Sequence, residues 1–198
     1  ALAGFASAWA YRREAKTQSA LLSSPRGLLW WGRNGVHEVA RFIQMDTRAD
    51  VLLAFAAVTG WLAADVRRRR PGAALALTTL GGFLVAIPLA RAQMDAHAQP
   101  FAGHGAWAWG VFAVLGIRSL LCLRASEDRF AAWAQFVWWL VWPIVVSLLF
   151  SWLADRFDLA HGWMLALLAM PWLVAATLSI FRWPWLAAPQ GGRCTPYR

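Results

Sequence analysis

Long apolar blocks separated by short charged turns set the pattern of this chain. The turn that orders the others is Arg67-Arg68-Arg69-Arg70-Pro71, with apolar residues 51–66 before it and 72–90 after it. A segment in lipid must pair its backbone N–H and C=O groups within itself, so both blocks are expected to be helices. Arginines stay on the cytoplasmic side of a membrane, which makes the pair a transmembrane hairpin with its turn in the cytoplasm.

Three further blocks follow at 105–123, 130–154 and 162–181. The first span, 51–66, is short: about 24 Å at 1.5 Å per residue, against a hydrocarbon core of about 30 Å. Asp50 and Asp65 bracket it, and Ala56, Gly60 and Ala64 recur at every fourth position, the small-residue stripe that lets helices pack closely. Residues 72–90 can bend at Gly81-Gly82 and Pro88, 130–154 at Pro143, and 162–181 at Pro171. Arg118, inside the 105–123 block, is close enough to its cytoplasmic end to reach the headgroups along its own stem. The tail, 190–198, is expected to be irregular.

Residues 19–41 are harder to place, because Pro25, Arg26, Arg33 and Asn34 interrupt apolar runs that include Trp30 and Trp31. An arginine at mid-bilayer costs about 2.5–3.5 kcal/mol on insertion scales, so a broken or interfacial helix is expected. With Arg12, Arg13 and Lys16 inside and the Arg67 to Arg70 turn also inside, an even number of crossings must separate them, which favours a crossing here. Residues 1–10 are apolar and are followed, not preceded, by positive charge. That order is the reverse of a signal peptide, and they read as the last turns of a truncated helix in a fragment of a longer chain. The expectation is an all-α, polytopic transmembrane bundle, a single domain over 1–189 with about five clear spans.

Composition agrees: 60% of the 198 residues are hydrophobic and only 15% charged, whereas a soluble domain averages about 45–50% and about 25%. Mean hydropathy is +0.45. The net charge of +9 does not mark a nucleic-acid binder, because the basic residues form short clusters between apolar runs and no continuous face. The lipid bilayer is the partner they fit. Arg124, Arg129, Arg182, Arg193 and Arg198 join the inner side, while the outer turns hold Arg41, Arg48, Arg91 and Arg156. Fifteen Trp against two Tyr suit anchoring at headgroup depth and packing better than a ligand platform. Cys122 and Cys194 have no metal-type spacing, and on the cytoplasmic side a disulfide is not expected.

Gly27-Leu28-Leu29-Trp30-Trp31-Gly32-Arg33-Asn34-Gly35-Val36-His37-Glu38-Val39, the 99–109 stretch Gln99-Pro100-Phe101-Ala102-Gly103-His104-Gly105-Ala106-Trp107-Ala108-Trp109, and Arg182-Trp183-Pro184-Trp185-Leu186-Ala187-Ala188-Pro189 together resemble the DUF2339 family of multi-spanning bacterial membrane proteins. The resemblance covers most of 1–189 and departs at Ser23-Ser24-Pro25-Arg26 and at 191–198. It implies a bacterial inner-membrane location and the remaining helices of a longer parent chain as partners, and it brings no chemistry. An internal echo fits repeated helical units: an apolar segment, a charged turn and a Trp-rich helix occur at 1–42 and again at 106–157.

The sequence holds none of the patterns GxxxxGK[ST], GxGxxG, HExxH, GxSxG or CxxC, so the soluble enzyme classes they announce are set aside and no cofactor is expected. One constellation stands out: His37, His97, His104 and His161 all fall on the outer side, level with Glu38, Asp46, Asp95, Asp155 and Asp158. Imidazoles and carboxylates at one depth could transfer protons, bind a cation or hold a polar headgroup. The plainer reading is that polar residues occupy turns from which arginine was excluded. No pair has metal-ligand spacing on one helix face. Two functions follow: a structural, transport or assembly module of the envelope, or a membrane enzyme acting on lipid-linked or polysaccharide substrates at the outer face.

Overall fold

The computed structural model describes residues 17–69, 72–123 and 129–181. Six helices occupy them: α1 (Thr17–Phe42), α2 (Arg48–Arg69), α3 (Ala73–His97), α4 (Gly105–Leu123), α5 (Arg129–Arg156) and α6 (His161–Phe181). There is no strand among the described residues. Helices α2 to α6 are each long and apolar enough to cross a membrane, which gives the all-α, five-span architecture expected from the pattern. Arg70, residues 1–10, the 124–128 turn, Cys194 and the 190–198 tail lie outside the described residues.

Several boundaries differ from the hydropathy blocks. Helix α2 extends the 51–66 block at both ends to 22 residues, Arg48–Arg69, and is not the short span expected. Helix α3 runs on past Ala90 through Arg91, Gln93 and Asp95 to His97. Hydropathy falls where a helix meets the headgroups, but the backbone need not unwind there. Residues 17–42 form one uninterrupted helix rather than the broken one expected over 19–41. The reason is visible at Asn34, whose Nδ2–H donates to the Trp30 carbonyl one turn back, so the amide is satisfied on the helix instead of ending it. Pro25 lacks an N–H, but one lost bond bends a long helix more readily than it breaks one.

Lipid tails are as apolar as leucine, so helices in a bilayer associate through close van der Waals contact and interhelical hydrogen bonds. Here small residues supply the closeness. Gly60 is buried against α3, where a Cβ on it would lie 3.7 Å from the Thr79 Cα. A Cβ on Gly82 would come within 3.1 Å of the Ala56 carbonyl oxygen. The Thr79 hydroxyl donates to the Gly60 carbonyl at 3.0 Å, bonding α3 to α2. Ala64, further along the same stripe, is fully buried.

Helix α2 packs on both α3 and α4, and α3 in turn carries α5. The core between them is Leu53, Ala57, Ala76, Phe83, Ala86, Trp109, Phe112, Leu120, Val137, Val141 and Val145 with their neighbours. An aromatic cluster crosses it: Trp109 meets Phe112 edge-on at 5.4 Å and Trp142 at 6.0 Å, and Trp142 meets Trp138 at 5.6 Å. Helix α1 leans on α2 through the Trp31–Phe55 stack at 5.8 Å. Among the described residues α6 touches only α5, where the Ser147 hydroxyl donates to the Leu168 carbonyl at 3.2 Å.

Candidate functional site

The end of the bundle where α2 and α4 begin and α3 finishes is tied by its turns. At the α1–α2 corner the Arg48 guanidinium donates to the Ala40 carbonyl and, at 3.0 Å, to the Ile43 carbonyl, capping the open end of α1. Helix α3 stops at Ala98, which is left-handed at φ 64 and donates its N–H to the Met94 carbonyl at 2.8 Å. The chain then folds back through Pro100 and Gly103 to start α4 at Gly105. Gly105 has no room for a side chain, since a Cβ would run into the Pro100 carbonyl. Gly103 takes φ +55, and a Cβ there would lie 3.5 Å from the His97 Nε2.

Beneath this loop a line of polar side chains crosses three helices. Asp50 on α2, Gln93 on α3 and Trp109 on α4 are 2%, 1% and 2% exposed. The Trp109 indole N–H donates to Gln93 Oε1 at 2.9 Å, and the Gln93 Nε2–H donates to Asp50 Oδ1 at 2.6 Å. An indole can only donate, so it fixes which end of the Gln93 amide faces it and leaves the NH2 for the carboxylate. Trp109 is itself held by Phe101, Phe112 and Trp142. Asp50 Oδ2 and His97 Nε2 are buried polar atoms with no hydrogen-bond partner.

The residues singled out from the sequence lie differently. His37 and Glu38 on α1, Asp95 on α3, His104 in the loop, Asp155 on α5, Asp158 in the next turn and His161 on α6 are exposed, and His97 is half-buried. Asp95 pairs with Arg91 at 3.3 Å along the surface of α3. Asp158 has a backbone task. At φ 48 it ends α5, with its N–H on the Asp155 carbonyl at 3.3 Å and the Leu159 N–H on the Ala154 carbonyl at 3.0 Å, a Schellman closure. Among the described residues no group of three His, Cys, Asp or Glu could hold a metal. At the opposite end Arg67 is buried, Arg68 is exposed, and Arg69 lies 3.7 Å from Asp65.

Compared with protein families, with curated proteins and with solved structures, the chain matches none of them. What the geometry brings together is therefore the guide to function. It is Asp50, Gln93 and Trp109, of which the sequence marked Asp50 as a bracket of its helix and Trp109 as the end of the 99–109 stretch, without joining the two. Gln93 escaped because it lies beyond the 72–90 apolar block, next to Arg91, which the charge pattern assigned to an outer turn. Its place one turn before His97 is the signal that could have found it.

Proposed function

We propose that this chain is a multi-pass module of the bacterial inner membrane with a structural, transport or assembly role and no catalytic one. The observation that carries this reading is where the polar chemistry sits. The outer histidines and carboxylates are spread over α1, α3, α5, α6 and three turns, and most are exposed. The buried hydrogen bonds join helix to helix instead of framing a cleft. Acid–base catalysis needs its groups within hydrogen-bond reach of one reacting atom, about 2.6–3.2 Å, and a dispersed set does not meet that demand. The likeness of the 27–39 and 99–109 stretches to DUF2339 proteins supports an envelope location and a longer multi-spanning parent.

The test is substitution of His37, His104 and His161 to Ala, one at a time, in the intact protein in its native cell. Each variant is expected to reach the membrane and keep the cellular function. Loss of function in a variant that still folds and inserts would instead favour an enzyme working at the outer face.

A further inference from the structure

Asp50 is the feature that a purely structural role explains least well. Its Oδ1 accepts from Gln93, whose orientation Trp109 fixes, so Oδ1 is an acceptor whatever the state of the carboxyl. Oδ2 is buried and has no hydrogen-bond partner. Were the group ionised, a buried carboxylate oxygen would lack a counter-charge, which is costly away from water. Were it neutral, its proton would sit on Oδ2. In both states one small positive species is the missing partner of this oxygen.

The surroundings are built for such a species. Asp50 lies in the first turn of α2, and its Oδ1 would be 3.6 Å from a Cβ on Gly105, the first residue of α4. Two helix N-termini therefore meet at one carboxyl group. The Pro100 carbonyl borders Gly105, and Pro100 is fully buried. His97 stands one turn beyond Gln93 on the same helix, with Nε2 buried and without a partner.

The charged and titratable groups around the site do not neutralise it. On α2, Arg48 is committed to the carbonyls of Ala40 and Ile43. On α3, His97 makes no bond through Nε2, and Asp95 is exposed and paired with Arg91. The facing part of α4 brings Trp109 and no charge, while His104 in the loop and Asp46 before α2 are exposed.

We propose that Asp50 Oδ2 is the binding site for a small monovalent cation, a proton or an alkali ion, closed over by the 98–104 loop and oriented by Gln93 and Trp109. This deepens the transport branch of the function proposed above and rests on it. Its test reads binding rather than cellular function, so the two can fail separately.

The experiment uses the intact protein in detergent or lipid nanodiscs. Thermal unfolding is followed in NaCl, KCl or choline chloride at equal ionic strength, and infrared difference spectra are taken between pH 5 and pH 8. If the ligand is an alkali ion, Tm rises with sodium or potassium over choline, and Asp50→Asn abolishes the rise. If it is a proton, the spectra show a carboxyl band that Asp50→Asn removes. Trp109→Phe keeps an aromatic ring but frees Gln93 to turn, and is expected to weaken the alkali midpoint, or displace the proton midpoint, by about 3–10-fold. Should Asp50→Asn fail to fold, the wild type and Trp109→Phe still decide. Overturning results are a wild type indifferent to sodium, potassium and pH, or a response that Asp50→Asn or a folded Trp109→Phe leaves unchanged. Asp50 would then be a clamp between helices and nothing more.

Discussion

Asp158 shows how a residue that looks chemical can be doing conformational work. A short polar side chain tolerates the left-handed region better than most, and the turn after α5 needs that conformation at position 158. Asp158→Gly should therefore leave the fold intact and stabilise it by up to about 1 kcal/mol, whereas Asp158→Val should destabilise it by about as much or more. Thermal unfolding in detergent checks both. Gln93 is the opposite case, an unremarkable residue whose amide joins two buried partners. Gln93→Leu would strand the Trp109 indole and the Asp50 carboxylate at once, and is expected to cost about 2–4 kcal/mol in chemical unfolding. Nothing in a one-dimensional pattern distinguishes these two roles, because each depends on which backbone end or which neighbouring helix the side chain meets.

At the scale of the helix, close approach decides what each face tolerates. The Trp138 indole lies where a side chain on Gly116 would be, so α4 and α5 interlock through a missing Cβ. Gly110 on the same helix has nothing within 4 Å. Gly116→Ala should destabilise by about 1–3 kcal/mol through overpacking, while Gly110→Ala should be neutral or mildly stabilising through helix propensity. Measuring the pair in one detergent separates packing from propensity. The Ala56, Gly60, Ala64 stripe was legible because small residues at every fourth position leave a mark in the sequence. Gly116 was not, since a lone glycine in an apolar block carries no indication of the ring that fills its place. The continuity of α1 was hidden for a related reason: Asn34 counts as an interruption until its amide is seen on the Trp30 carbonyl.

For the whole molecule, hydropathy and arginine placement were enough to name five membrane-length helices, because the bilayer constrains length and composition before any packing exists. The placement of charge also makes a prediction about sidedness. Single cysteines introduced beside Asp95 and Asp158 should react with an impermeant reagent added outside intact cells, and one beside Arg69 should react only after permeabilisation. The reverse pattern would invert the topology. The buried polar line escaped detection in the sequence, because its members lie on three successive helices, 43 and 16 residues apart, and nothing in a one-dimensional pattern pairs them.

Helix α6 meets the rest of the described chain along α5 alone, and Pro171 is its one buried residue. A mechanical load applied at Phe181 would then meet a single seam. In single-molecule pulling from a bilayer, α6 should be drawn out first, in a separate step at lower force, while α2 to α5 stay interlocked until a larger rupture. The molecule would yield at a known edge, with Asp50, Gln93 and Trp109 still assembled after the first break.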